Sequence, residues 1–586
     1  MISDIHTVVF WGAGATASLG MVTTAQQNGI FLALSKKQAS DSYEKCLRKY
    51  KANVFGESFE DVCDLLTLLD DDSDSEIEHD TFGYRMSGFS KRQRDIINRH
   101  AEDLGNEERK RFNRIIMLRL RYDWAAVMRI LRLQKHNTKK KKDDERIEIP
   151  SDTFALSLYN LIDANIVAGT GIHVFDNESS DLSNFLDAVR LKSAKSALVM
   201  FVNLMFASAW AKNRRYGSKL AQYMRFGRFI AQIRAEEARD TMWDRSIKHL
   251  FRTSFVSMNF DPMLWWILKN ADVDYNDDPL YIGYDRTPLY LGEDVDQVDA
   301  VRDFKGVSRD DQSGRVLIND VLSEQVALFV NQHGEKSRER CNARYQTVKI
   351  FFPHGSPNLK RCPCCGKTTL YQGNELTIDS ASLFPPFFFK RLTWACEAAD
   401  ALPGTSEEYS ESRKWGDGEL DYIQCRHCGR AIRMCDTEMV MQSGLKSPPS
   451  YLLQRISHNV DNAVMRANHI VLMGYSLPPD DGAWVAELQA RTTRDDGGEV
   501  FCSVMGYDPT AGFHWMYKGE LEGIVKCQKS KGDENHYSAV ENAWKVFGKD
   551  RVRACMIGVP GIFESKETVR EILYPDFDEW REKVGS

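Results

Sequence analysis

Five times along the chain a short apolar run stops abruptly at glycine or at one or two polar residues, and no other feature constrains the fold as much. Val8–Trp11 breaks into Gly12-Ala13-Gly14-Ala15-Thr16, and Ser254–Met258 into Asn259-Phe260-Asp261-Pro262. Val348–Phe352 runs into Pro353-His354-Gly355, His469–Met473 into Gly474-Tyr475-Ser476, and Glu499–Met505 into Gly506-Tyr507-Asp508. Short, mostly apolar runs of this kind mark parallel strands buried on both faces. Arg553–Val559 is a further strand candidate. Ligands of an open parallel sheet bind outside the carboxyl ends of its strands. The five turns are therefore expected to meet in one crevice, although they span the chain from Gly12 to Asp508.

The first turn has two readings. Gly12 and Gly14 let backbone approach a ligand closely, and the helix opened by Thr16, Ala17 and Ser18 would turn its N–H groups toward a phosphate. The same residues also suit a tight structural turn. Gly12-x-Gly14-x-x-Ala17 has the spacing of a dinucleotide fingerprint, but Thr16–Ser40 holds no acid to take a ribose, and G-x-x-x-x-G-K-[ST] is absent. Asn259 and Asp261 suit a plain turn as well. A single histidine such as His354 is more often structural than catalytic.

With 586 residues, 42% of them hydrophobic, the chain can bury one large core or several smaller ones. Its 77 basic and 84 acidic residues leave a formal charge of −7, which does not indicate nucleic-acid binding by the whole molecule. Met1–His6 lacks a basic region followed by an apolar segment, so no signal peptide is read there. The longest apolar stretch, Ala197–Trp210, is interrupted by Asn203 and Ser208 and is too short for a bilayer. Ala25–Lys36, Asp41–Tyr50, Phe59–Leu69, Phe154–Ala164, Leu182–Trp210 and Lys219–Arg239 read as helices, and Lys91–Leu133 as a basic, helix-rich region. Acidic Asp70–Asp80 and lysine-rich Asn137–Glu145 read as solvated loops. The resulting division is a core start over 1–50, a helical insertion over 51–245, core again over 246–355, a cysteine module over 356–440, and core completed with a C-terminal segment over 441–586.

Thirteen cysteines in so long a chain do not suggest a secreted disulfide framework. Cys362-Pro-Cys364-Cys365-Gly366 and Cys425-Arg-His-Cys428-Gly429 are two C-x-x-C-G knuckles. Each lets two thiolates grip one metal, and two pairs complete a tetrahedral Zn²⁺ site of the closed, structural kind. Cys362, Cys365, Cys425 and Cys428 are the favoured ligands, with Cys364 and His427 as the alternatives inside the knuckles. Reduced, metal-binding cysteines fit a cytoplasmic protein.

Taken in order, these motifs resemble the sirtuin family. Gly12-Ala13-Gly14-Ala15-Thr16 with Gly20-Met21 is similar to its opening Gly-Ala-Gly-x-Ser/Thr turn and later Gly-apolar step. Ser257-Met258-Asn259-Phe260-Asp261 resembles its Thr-x-Asn-Ile/Tyr-Asp, and His354-Gly355 the segment carrying its catalytic base. Gly474-Tyr475-Ser476-Leu477 resembles its Gly-x-Ser-Leu turn, and the zinc module follows His-Gly as it does there. The resemblance implies a Rossmann-like, doubly wound α/β core with a large helical insertion and a zinc ribbon. It implies that Gly12, Ala13, Gly14, Ala15, Thr16 and Gly20 cradle the dinucleotide NAD, with Gly474, Ser476 and Asp508 on the adenosine half. It makes His354 the general base, Asn259 the residue that positions water or a ribose hydroxyl, and Asp261 the holder of the nicotinamide carboxamide. Departures fall on the acyl-peptide side. Met258 stands where deacylases carry glutamine, Met21 is not followed by Phe-Arg, and Arg430–Glu438 lacks a Phe-Gly-Glu-like segment. Hydrolysis of NAD is therefore expected over protein deacylation, with a nucleotide-binding scaffold as the third reading. Long chains of this character resemble NAD-depleting effectors of bacterial phage defence, which implies a regulated homo-oligomer and allows a HerA-type ATPase as partner.

Overall fold

The computed structural model describes residues 5–35, 126–127, 130–131, 154–173, 185–213, 217–240, 250–269, 289–290, 295–299, 347–372, 422–424, 428, 431–433, 437–441, 450–478, 481–494, 498–531 and 536–585. The expected helices Asp41–Tyr50 and Phe59–Leu69, most of Lys91–Leu133, and the loops Asp70–Asp80 and Asn137–Glu145 lie outside them. In chain order the elements begin with β1 (Thr7–Trp11), the short α1 (Ala13–Thr16), α2 (Thr24–Ser35), α3 (Phe154–Ala168), β2 (Ile172–His173) and β3 (Phe185–Leu186). Next come α4 (Ala188–Asn213), α5 (Gly217–Asp240), β4 (Leu250–Ser257), α6 (Met263–Lys269), β5 (Leu289–Tyr290), β6 (Val295–Asp299), β7 (Thr347–Phe351), β8 (Gly355–Arg361) and β9 (Thr368–Gln372). The remainder is β10 (Tyr422–Gln424), β11 (Ala431–Arg433), β12 (Thr437–Met439), α7 (Tyr451–Arg466), β13 (His469–Met473), α8 (Gly482–Thr492), β14 (Phe501–Met505), α9 (Lys518–Lys531), α10 (Ser538–Phe547), β15 (Val552–Cys555), α11 (Lys566–Leu573) and α12 (Phe577–Gly585).

The fold is α/β. Seven strands form one sheet in the order β15-β14-β13-β1-β4-β7-β5, and every neighbouring pair is parallel. β1, β13 and β14 are buried at every position, as strands covered on both faces must be. β4 begins at Leu250, earlier than its apolar run, because a polar residue inside it is satisfied: the buried Thr253 hydroxyl bonds that of Tyr574 at 2.9 Å. The helix expected from Leu182 starts only at Ala188. Leu186 pairs with Ile172 in a small antiparallel ladder, and Asp187 accepts from the Arg190 amide at 2.8 Å, which caps the helix there.

Trp11, fully buried at the end of β1, stacks on both Phe226 of α5 and Phe563, at centroid distances of 5.7 and 6.4 Å. Phe226 also stacks on Phe563 at 4.3 Å. Helix α5 therefore belongs to the cover of the sheet itself and is no remote appendage. A second, four-stranded sheet has the order β12-β8-β9-β6. It meets the main sheet at the turn after β7, where Gly355 adopts φ +74° and a Cβ would sit 1.5 Å from the Glu438 carbonyl oxygen.

At the centre of the main sheet the chain ends of β1 and β13 interlock. The Gly12 amide donates to Met473 O at 2.9 Å and the Gly14 amide to Gly474 O at 3.0 Å. A Cβ on Gly12 would lie 2.4 Å from Gly474 O, and one on Gly474 would lie 2.1 Å from the Ala15 nitrogen at φ +60°. The glycines are required by the approach of backbone to backbone. Gly12→Ala and Gly474→Ala are each expected to cost more than about 2 kcal/mol or to abolish soluble expression. Gly512→Ala, with nothing within 4 Å of its Cβ, is the matched control. Denaturant melts of the three variants decide it, and wild-type stability in Gly474→Ala would contradict the interlock.

Candidate active site

The turns after β1 and β4 are joined by a chain of hydrogen bonds. Asn259 Nδ2 donates to Gly12 O at 2.9 Å and to Thr16 Oγ1 at 3.2 Å. A backbone carbonyl only accepts, so the amide nitrogen is the atom that faces it. That leaves Asn259 Oδ1 buried and, among the described residues, without a hydrogen-bond partner. Thr16 Oγ1 in turn donates to Asp261 Oδ2 at 3.0 Å, and Asp261 Oδ1 accepts the Met263 amide at 3.1 Å, where α6 begins. Burial pushes the Asp261 carboxyl up to about 6 against the opposing pull of the Met263 and Thr16 hydrogen bonds.

Helix α5 reaches this cluster through Tyr223, whose buried hydroxyl bonds Ala15 O and lies 2.6 Å from Ser18 Oγ. Burial raises the Tyr223 hydroxyl above the ordinary phenol range, so it serves as a neutral tether. Ala13 and Gly14 form the accessible crest of the first turn. The Gly14 and Ala15 amides already donate to Gly474 O and Gly12 O, so these two do not point a free N–H at a phosphate. Gly20, at φ +74°, closes the 3-10 turn that follows.

His354 sits in the turn between the two sheets and is buried. Its Nε2 lies 3.2 Å from Asp481 Oδ1, an ion-pair distance without hydrogen-bond alignment. Asp481 Oδ2 accepts the Tyr475 hydroxyl at 2.6 Å. The His354 and β4 turns are tied as well, because Ser356 Oγ donates to Phe260 O at 3.1 Å. Ser476 is exposed, and its carbonyl accepts Asn542 Nδ2 at 2.9 Å. Leu477 beside it holds φ +51°, a left-handed conformation that costs a branched side chain about 1 kcal/mol or more. Asp508 Oδ1 accepts both the Thr510 hydroxyl and amide, and Oδ2 accepts Tyr537. Those hydrogen bonds, led by the Thr510 hydroxyl, hold the Asp508 carboxyl below its ordinary range.

Gly12, Thr16, Asn259 and Asp261 are thus brought into direct contact, Gly474 is locked against them, and His354 stands at the next strand end. Ser476 and Asp508 lie at their own strand ends, bonded to α10 and to local partners. Asp481, Tyr475 and Tyr223 were not singled out by sequence reasoning. Asp481 carries only the signal of an acid before a helix, an ordinary N-cap choice.

In the second sheet, β8 and β9 form an antiparallel hairpin whose loop runs Cys362–Lys367. Its closure is fixed by Cys362 N to Lys367 O and Gly366 N to Cys362 O, both 2.9 Å, with Gly366 at φ +71°. Cys362, Cys365 and Cys428 place their sulfurs within 4.8 Å of one another, and the Cys362 and Cys428 Sγ atoms are 3.5 Å apart. Thiolates 2.3 Å from a tetrahedral zinc lie about 3.8 Å from each other, so the donor set fits a structural Zn²⁺. Cys364 is exposed and stands outside this cluster, while Cys425 and His427 lie outside the described residues.

A scan against protein-family models and a search among curated proteins each gave no match for the chain. Among the described residues no helix is long and apolar enough to cross a membrane.

Two outcomes follow from these sites. A carboxyl raised from its unfolded value near 3.8 to about 6 binds protons better in the folded state, so it weakens the fold as pH rises from 4 to 6. Asp261→Asn is expected to melt higher than wild type at pH 7.5, by on the order of 3 kcal/mol at most, and to lose most of that advantage at pH 4.5. An equal gain at both pH values would show that the carboxylate charge is not the cause. Purified protein is also expected to hold about one zinc per chain. Cys362→Ser should release it and lower the melting temperature, because such sites couple metal binding to folding. Elemental analysis without stoichiometric zinc would contradict the assignment.

Proposed function

We propose that the chain is a sirtuin-like NAD glycohydrolase, which cleaves the nicotinamide–ribose bond to nicotinamide and ADP-ribose. The observation that carries this reading is Asn259. Its amide is fixed by the Gly12 carbonyl and the Thr16 hydroxyl, which leaves Oδ1 as a buried acceptor with no hydrogen-bond partner among the described residues, at the carboxyl end of β4. A buried acceptor of that kind calls for a donor, and in this reading water or a ribose hydroxyl supplies it.

Strand order supports the same reading. With the two-residue β5 set aside, the order is 3-2-1-4-5-6 counted along the chain, that of Rossmann-like dinucleotide-binding sheets. The order reverses between β1 and β13, where Gly12, Gly14 and Gly474 lie, and in such sheets ligands bind at the switch point. A zinc ribbon is the matching reading of the second sheet. β10 and β11 form a separate antiparallel pair whose sequence link, 425–430, carries the second knuckle, as the link between β8 and β9 carries the first.

In this reading the bond from the anomeric carbon to nicotinamide breaks, and nicotinamide leaves with the electron pair. Asn259 Oδ1 holds the attacking water, whose oxygen bonds the anomeric carbon as its proton passes to His354. Asp261 is braced by Thr16 to meet the carboxamide. The protein would act as a regulated, cytoplasmic NAD-depleting effector.

Incubation of the full-length chain with NAD, with and without an acetylated peptide, tests the assignment. Nicotinamide and ADP-ribose are expected without peptide, and Asn259→Ala and His354→Ala should each slow the reaction about 100-fold or more. Nicotinamide released only with peptide, together with O-acyl-ADP-ribose, would make the protein a deacylase instead.

A further inference from the structure

We propose that Asp481, held by Tyr475, is the positioning residue for His354. The proposal rests on reading the site as an NAD glycohydrolase and adds a proton-handling relay that no motif in the sequence announces.

The relay is a continuous buried path. The Phe10 ring of β1 stacks on Tyr475 with centroids 5.9 Å apart and planes 14° from parallel, which fixes the direction of the Tyr475 hydroxyl. That hydroxyl donates to Asp481 Oδ2 at 2.6 Å, and Asp481 Oδ1 stands 3.2 Å from His354 Nε2. Tyr475, Asp481 and His354 are 6%, 3% and 3% exposed, so their interactions are little screened by water. Three separate strand ends contribute: β1 through Phe10, β13 through Tyr475 and Asp481, and β7 through His354.

Asp481 also breaks the habit of its position. It is the N-cap of α8, where an aspartate ordinarily accepts a hydrogen bond from the helix's own first amides, yet its side chain makes no such bond. Its carboxylate turns to Tyr475 and His354 instead. A buried carboxylate diverted from its helix toward an imidazole suits a base that must become an imidazolium. When His354 takes the proton of the attacking water, the Asp481 charge stabilises the cation, and its oxygen fixes which ring nitrogen carries the resident proton. Nε2 faces Asp481, so Nδ1 is the atom that receives the proton. The alignment between Nε2 and Oδ1 is incomplete without substrate, as is common for catalytic hydrogen bonds before the reactive complex forms.

Steady-state kinetics on the full-length protein separates positioning from mere support of the fold. Asp481→Asn keeps the shape and removes the charge, and it is expected to lower kcat about 100-fold or more while KM for NAD stays within about threefold. Tyr475→Phe keeps every carbon and should lower kcat about 3- to 10-fold with KM unchanged. The double variant Asp481→Asn/His354→Ala should be no slower than His354→Ala alone, because a residue that acts through His354 has nothing left to position. If Asp481→Asn retains kcat within threefold, or if its loss multiplies with that of His354→Ala, the proposal is overturned while the hydrolase reading stands. Should Asp481→Asn give no cooperative melt, Tyr475→Phe decides, and unchanged kcat there overturns the relay. A wild-type chain that releases no nicotinamide removes the hydrolase reading and the relay with it.

Discussion

The structure depends on one close contact between two stretches of backbone, where the end of β1 meets the end of β13. The hydrogen-bond ladder of the pair continues past both strands through Gly12 N to Met473 O and Gly14 N to Gly474 O. No side chain fits between them. Everything of chemical interest is suspended from this joint. Gly12 O carries the Asn259 amide, Thr16 on the following turn carries Asp261, and Tyr475, next after Gly474, reaches Asp481 and through it His354. A glycine pair that reads like a ligand cradle is in the first place a hinge pin between two strands.

Stability and chemistry pull in opposite directions around that joint. Asn259 Oδ1 is buried without a hydrogen-bond partner among the described residues, and Asp261 is charged at neutral pH only against the penalty of its burial. Leu477 sits in a conformation that suits glycine better. Each of these departures from a comfortable fold lies within a few residues of a strand's carboxyl end. Two titratable groups at the opposite end of the sheet are satisfied instead. There buried His469 is satisfied by Thr7 and Ser503, and Arg553 is stacked over Trp515 and Trp580 and bonded to Ser503. The strained groups gather at the carboxyl ends of the strands, while His469 and Arg553 at the far end find their partners within the protein.

Much of this was legible in the sequence, for a physical reason. Strands buried on both faces are built from mostly apolar runs, so Thr7–Trp11, His469–Met473 and Phe501–Met505 announce themselves. The spacing of Cys362 and Cys365 likewise encodes a hairpin loop that can grip a metal. What escaped is what depends on distant side chains. Thr253 could extend β4 because Tyr574 waits for it, and Leu186 left its helix because Ile172 pairs with it. Tyr223 lies 208 residues from the carbonyl it binds, and no local pattern marks such a contact. Asp481 looks like an ordinary helix cap until its carboxylate is seen facing away from the helix.

The central place of β1 has a consequence for how the molecule comes into being. One edge of β1 pairs with β4, but the other waits for a partner 462 residues further along, at His469. At about 5–20 residues per second on the ribosome, that partner is made roughly half a minute to a minute and a half after β1 itself. Throughout that interval the Val8-Val9-Phe10-Trp11 ribbon has an open edge, the kind that seeks any other strand. The centre of the sheet is therefore joined only once β13 has been made, with β14 and β15 still to be added, and pairing across so long a separation slows folding.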